Sequence, residues 1–210
     1  MKKPKTSKDW LREHEADEFV LRARREGFRS RAVYKLTEID EKHRLLVPGR
    51  VVVDLGAAPG GWSQVASAAV GSKGKVIAVD ILPMDPIPGV EVVLGDFTRD
   101  ETLAEVRHAL GGRPADLVIS DMAPNLSGMK DVDQPRATYL VELALDLADQ
   151  VLVKGGAFVA KCFEGEGING LRAGLKERFR RTYNVKPKAS RGRSREIYLV
   201  GRDYIGQDSV

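Results

Sequence analysis

Short, wholly apolar runs alternate along this chain with longer stretches whose apolar residues recur every three or four positions. The densest run is Val51-Val52-Val53-Asp54-Leu55. Three β-branched residues and a leucine with no polar face predict a strand buried on both sides. Similar runs predict strands at Val76–Asp80, Val90–Leu94, Ala115–Ser120 and Ala157–Ala160, with two more near Thr182–Lys186 and Glu196–Val200. Between them lie helical patterns. Trp10 to Arg25 carries Trp10, Leu11, Phe19, Val20 and Ala23 as apolar members and stops at Gly27. Ser30 is placed to cap a second helix over Ala32, Val33, Leu36, Ile39 and Asp40. A third helix starts at Ser63, and a fourth spans 99–110. A long one opens at Pro135 with Leu140, Leu143, Ala144, Leu147 and Val151 on one face, and a last runs from Ile168 to Phe179. Pro48-Gly49 is a break; Pro83–Pro88 and Met122–Gln134 read as loops.

Strand–helix alternation predicts a Rossmann-like α/β fold: a mostly parallel sheet, right-handed crossovers and helices on both faces. Residues 1–49 read as a basic, helical N-terminal extension that begins with a disordered lysine-rich stretch, and 50–210 as the α/β domain, one compact unit overall. Ligands of such sheets lie at the carboxyl ends of the strands. Asp54, Asp80, Asp96, Asp121 and Lys161 all fall at predicted strand ends. A single aspartate there is an ordinary turn residue; five ionisable residues at successive ends point to a site.

The turn after the first strand, Gly56-Ala57-Ala58-Pro59-Gly60-Gly61, narrows the ligand. Its glycines let backbone approach a bound molecule closely, and the helix start offers free N–H groups. A dinucleotide fingerprint needs a middle glycine that is missing here, and a P-loop needs a lysine that is also missing. S-adenosylmethionine, which has an adenosine but no phosphate, remains.

The 210 residues suit one domain. With 42% hydrophobic and 30% charged residues, the chain can bury a core and remain soluble. No apolar run reaches a membrane span, and the basic start lacks the apolar stretch of a secretory signal. Cys162 is a lone cysteine, which fits a reducing, cytoplasmic compartment. His14, His43 and His108 have no metal-ligand spacing, so no metal is expected. The net charge of +4 hides a segregation. Residues 1–35 hold 11 Lys/Arg against 6 Asp/Glu, residues 172–195 hold 10 against 1, and the remainder is net acidic. Two basic segments predict a polyanion-binding surface.

Four motifs carry a resemblance: D-L-G-A-A-P-G-G-W-S-Q at 54–64, S-D-M-A-P-N at 120–125, A-K-C-F-E-G at 160–165 and S-R-E-I-Y-L at 194–199. Together with S-R-A-V-Y-K-L at 30–36 and L-P-M-D-P at 82–86, they resemble the FtsJ-type RNA 2′-O-methyltransferases over nearly the whole chain. The resemblance implies a seven-stranded methyltransferase sheet with its last strand antiparallel. It also implies a catalytic tetrad at Lys35, Asp121, Lys161 and Glu196, and S-adenosylmethionine held by Gly56, Pro59, Gly60, Trp62, Asp80, Asp96, Phe97 and Asp121. The acceptor it implies is a uridine ribose in the A-loop of 23S ribosomal RNA, in the large ribosomal subunit, methylated by a monomer; transfer RNA or cap ribose is the alternative. Asp80 suits the ribose hydroxyls of the cofactor, and Asp96 the adenine amino group. Lys161 is expected to take the 2′-hydroxyl proton or stabilise the alkoxide. Tyr34, Phe163 and Tyr198 are candidates to stack on the target nucleotide, and Phe97 or Met122 on the adenine, with core packing the equal alternative for each. The absence of D-P-P-Y at 121–124 favours an oxygen over an amino acceptor. A non-catalytic RNA-binding protein would have lost part of the tetrad, and an oxidoreductase would have kept the dinucleotide glycines.

Overall fold

The computed structural model describes residues 17–124, 127–192 and 194–206. Trp10, Leu11 and His14, the lysine-rich 1–8, Asn125 and Arg193 lie outside them. Seven strands form one sheet: β1 (Val51–Leu55), β2 (Lys75–Asp80), β3 (Val90–Leu94), β4 (Ala115–Ser120), β5 (Leu152–Phe163), β6 (Phe179–Val185) and β7 (Glu196–Tyr204), in the order β3-β2-β1-β4-β5-β7-β6. β7 runs antiparallel between β5 and β6, and the remaining pairings are parallel. The reversed strand is therefore the last in sequence, as the resemblance implied.

Helices cover both faces. The alternation along β1 assigns them: Val51, Val53 and Leu55 enter one core cluster and Val52 the other. α2 (Val33–His43) and α3 (Gly61–Val70) bury Leu36, Ile39, Trp62, Ala66 and Val70 against the face of Val52. α4 (Asp100–Leu110), α5 (Lys130–Val151) and α6 (Ile168–Arg178) bury Val106, Leu110, Val141, Ala144, Leu171 and Leu175 against the other. Leu36, Ile39, Leu45 and Leu46 share a cluster with sheet residues, so the segment just before residue 50 is built into the same core.

The N-terminal helices have local reasons. α1 (Glu18–Arg25) opens on Asp17, which accepts the Phe19 amide at 3.0 Å. It closes as expected at Gly27, φ 76°, with Phe28 N–H returning to the Ala23 carbonyl at 2.8 Å. Ser30 Oγ accepts the Ala32 amide at 3.2 Å, but the first bonds span three residues, from Val33 to Ser30 and Tyr34 to Arg31. The α-helix therefore begins at Val33 rather than Ala32. α3 likewise begins at Gly61, two residues before Ser63.

Two expectations are corrected more substantially. Pro135 does not open the long helix; it lies inside α5, which starts at Lys130. Asp133 explains the earlier start, because its carboxylate accepts the Ser127 amide and hydroxyl at 2.8 Å and the Gly128 amide at 3.0 Å. The amide that Pro135 lacks would have bonded the Asp131 carbonyl, one of the first bonds of the helix. β5 is longer than Ala157–Ala160. Ala115 pairs with Leu152 but Leu117 with Ala157, so residues 153–156 bulge out of register, with Gly155 at φ 84°. The strand also runs past Lys161 to Phe163, because β7 pairs Lys161 with Tyr198 and Phe163 with Glu196. Lys161 is thus a mid-strand residue, not a terminal one.

Candidate active site

The chain leaves β1 towards β2 and β3 on one side and, later, β4 and β5 on the other. The crevice at the carboxyl ends of β1 and β4 is therefore the topological switch point. A cavity of about 670 Å³ opens there, lined among others by Gly56, Asp80, Asp96, Phe97, Asp121 and Met122, with Leu140 and Leu143 of α5 closing one wall. That volume suits a nucleoside-sized ligand. Gly56 has φ 70°, and a Cβ there would come within 2.3 Å of Met122 Cγ, so the β1 turn and the β4 end meet only because residue 56 lacks a side chain.

The carboxylates divide their work. Asp80 ties the turn to β2: Oδ2 accepts the Ala58 amide and Oδ1 the Leu82 amide, both at 2.8 Å. Asp96 accepts the Thr98 hydroxyl at 2.7 Å and its amide at 3.0 Å, and these bonds hold its carboxyl below the ordinary range. Asp54 lies on the α3 face of β1, 1% exposed, and accepts the Ser63 hydroxyl at 2.6 Å. Burial pushes its carboxyl up to about 7, with Asp121 and Asp80 adding to the rise. Asp54 therefore braces the turn from below and does not line the large cavity.

Four further expected residues separate. Pro59 lines a neighbouring open hollow of about 710 Å³ with Ala58, Leu82 and Arg29. Gly60 holds the turn itself at φ 104°, its amide donating to the Ala57 carbonyl at 2.6 Å. Trp62 is 3% exposed, donates Nε1–H to the Ala32 carbonyl at 2.8 Å and packs on Tyr198; it borders a recess of about 30 Å³ beside Asp121. These contacts dock the start of α2 against α3 and the sheet. Phe97 is half-buried at the cavity wall, where packing and ring contact coincide.

Asp121, the first residue after β4, is the hinge between the cavity and a cluster of charges. Lys161 Nζ lies 3.1 Å from Asp121 Oδ1 and donates to the Asp121 backbone carbonyl. Lys35 Nζ, from α2, lies 4.0 Å from the same carboxylate oxygen and 2.8 Å from Glu196 Oε1. The four residues singled out as a tetrad are thus one cluster, assembled from α2, β4, β5 and β7. Cross-strand pairing of Lys161 with Tyr198 and the two-residue period from Glu196 to Tyr198 put all three side chains on one face.

Tyr198 is not a stacking platform. It is fully buried, and its hydroxyl donates to Asp121 Oδ1 at 2.5 Å and lies 3.4 Å from Glu196 Oε1; burial first, then these carboxylates, raise its phenol well above the ordinary value. Tyr34 is also a core residue, packed on Phe19 and Phe28, its hydroxyl donating to Glu26 at 2.9 Å. Its phenol is pushed up to about 12, chiefly by burial. Phe163 is half-buried. Sequence reasoning missed Ser190, whose hydroxyl donates to Glu196 Oε1 at 2.8 Å, and Arg29, which binds the carbonyls of Pro59, Asp85 and Pro86 at 2.7–3.1 Å. Ser190 carries no short-range signal, because its partner is fixed only by the β6–β7 connection. The basic segment 172–195 is also less free than its charge suggested. Arg172, Arg178, Arg181 and Arg191 pair with Glu164, Asp149, Asp203 and Asp17, respectively. Among the described residues no group of His, Cys, Asp and Glu is gathered to hold a metal ion, and no helix is long and apolar enough to cross a membrane.

A seven-stranded sheet with one reversed strand, and an aspartate-rimmed cavity at its switch point, define a Rossmann-like methyltransferase. Comparison with known proteins takes this further. The chain belongs to the FtsJ-like methyltransferase family, whose model matches residues 28–204. It is 60% identical over 203 residues to the ribosomal RNA large subunit methyltransferase E of Azoarcus sp., covering 97% of this chain and 99% of that protein. The protein of the same description from Cellvibrio japonicus is 54% identical over 210 residues, the whole of both chains. Among solved structures, a ribosomal RNA methyltransferase from Plasmodium falciparum superposes with a TM-score of 0.77 at 32% identity, covering 86% of this chain and 100% of that one.

Proposed function

We propose that the chain transfers a methyl group from S-adenosylmethionine to the ribose 2′-hydroxyl of a uridine in the A-loop of 23S ribosomal RNA, acting as a cytoplasmic monomer on the assembling or assembled large subunit. One observation carries this reading: Asp121 belongs at once to the cavity wall and to the Lys35–Asp121–Lys161–Glu196 cluster. The relatives' names support ribosomal RNA as the substrate.

The residues present fit the cofactor. Asp80, Asp96 and Asp121 suit a cationic ligand bearing hydroxyl and amino donors, and the Gly56 turn admits it closely. When bound, S-adenosylmethionine supplies an already activated methyl group. What the chain must do is hold an oxygen in line with it, mainly a positioning task. An ammonium has three hydrogens. Lys161 directs two to the carboxylate and carbonyl of Asp121, leaving one for the acceptor oxygen. It steadies the negative charge that develops there as the hydroxyl proton is released to solvent and the methyl–sulfur bond breaks, and Asp121 orients it. Lys35, held by Glu196, supplies a second cation to the same side. The basic N-terminal helices and the 172–195 segment give the RNA backbone its contacts, with affinity falling as salt rises. Within this reading, residues up to 49 form the helical extension, and 50–210 the methyltransferase domain.

The test is methylation of large-subunit RNA by the wild-type chain, with the product mapped by resistance of the 2′-O-methylated linkage to alkali. Lys161→Met should lower kcat by about 10²–10⁴-fold with donor affinity by calorimetry unchanged. Full activity in that variant, or a label found on transfer RNA and not on 23S RNA, would reject the reading.

A further inference from the structure

The β6–β7 connection, residues 186–195, carries Lys186, Lys188, Arg191 and Arg195 and is tied down at two successive points. Glu38 of α2, one turn beyond Lys35, grips its backbone: Oε2 accepts the Lys188 amide at 2.7 Å and Oε1 the Ala189 amide at 2.9 Å. Hydrogen bonds to an ionised carboxylate are about twice as strong as neutral ones. Arg31 adds a bond to the Ala189 carbonyl. The next residue, Ser190, is 7% exposed and donates to Glu196 Oε1 at 2.8 Å. That oxygen is the one held by Lys35 Nζ at 2.8 Å and approached by the Tyr198 hydroxyl at 3.4 Å. Two donors, Lys35 and Ser190, converge on one carboxylate oxygen and fix its orientation, and the loop supplies one of the two.

We propose that Glu38 and Ser190 are positioning residues that couple the basic connection to the Lys35–Glu196 pair. Glu38 fixes the height of the connection on α2, and Ser190 passes that position to Glu196 and so to Lys35. Phosphates gathered by the connection are thereby registered against the same helix that carries Lys35. The inference rests on the proposed role of Lys35 and Glu196 in methyl transfer.

Four variants of the full chain test it. Ser190→Ala should lower kcat on ribosomal RNA by about tenfold to a hundredfold, the scale of a small misplacement, with donor affinity and the KM for RNA unchanged. Ser190→Thr, which keeps the hydroxyl, should restore it. Glu38→Ala should lower kcat similarly, and the double variant Glu38→Ala/Ser190→Ala should be no slower than the worse single one, as members of one chain of contacts behave. Trypsin should cut after Lys188 or Arg191 faster in Glu38→Ala than in the wild type. Unchanged kcat in Ser190→Ala, failure of threonine to rescue, multiplying losses in the double variant, or unchanged cleavage in Glu38→Ala would each overturn the inference. A wild-type chain inactive on ribosomal RNA would instead sink the proposed function, and the trypsin comparison would still decide whether Glu38 anchors the connection.

Discussion

Replacing Asp54 with asparagine should remove a pH dependence from the protein's stability. Asp54 is 1% exposed, and desolvation raises its carboxyl from the ordinary 3.8 to about 7 despite the 2.6 Å bond from Ser63. Across that interval the folded chain binds more protons here than the unfolded chain does. Stability therefore falls as pH rises from about 4 to about 7, then levels off. The full displacement is worth about 4 kcal/mol, accumulating at about 1.4 kcal/mol per pH unit. Asparagine has nearly the same shape, can accept the Ser63 hydroxyl and does not titrate. The stability of Asp54→Asn minus that of the wild type should therefore grow between pH 4 and 7 and stay constant above. Urea unfolding followed by circular dichroism at half-unit steps from pH 4 to 8.5 measures that difference. Carboxyls held below the ordinary value, such as Asp96, Asp133 and Asp203, act in the opposite sense at the acid end but cancel between the two proteins. A difference independent of pH would show that Asp54 is solvated or paired, and the reasoning would be refuted.

Two other substitutions read the site directly. Gly56→Ala puts a methyl within 2.3 Å of Met122 Cγ in a left-handed backbone, so donor affinity measured by calorimetry should drop about tenfold or more; unchanged affinity would mean that the turn does not border the bound donor. Trp62→Phe strips the Nε1–H bond from the Ala32 carbonyl and should cost about 1–3 kcal/mol in urea unfolding, with much less effect on donor affinity than Gly56→Ala; the reverse ranking would return Trp62 to the cofactor pocket.

What the amino-acid order determined was the set of elements and, for the buried strands β1 to β4, their bounds to within a residue. Val51–Leu55, Ala115–Ser120 and Lys75–Asp80 are strands because β-branched runs lose little when extended and buried on both faces, and their boundaries are as local as their causes. Asp80, Asp96 and Asp121 were legible as cavity residues, because the carboxyl ends of parallel strands share one rim. Tertiary structure decided what partners do. Nothing local distinguishes Asp54 from Asp80, yet α3 buries one while the cavity keeps the other at its edge. Tyr198 looks like a stacking aromatic until antiparallel pairing turns it inward beside Lys161, and the start of α5 depends on a carboxylate, Asp133, folding back on Ser127. Ser190 meets Glu196 only when the β6–β7 connection settles on Glu38. Some of these partners are distant in sequence, as Glu38 is from Lys188, and others lie six residues apart across a loop whose path the packing sets; the hydrophobic pattern records neither.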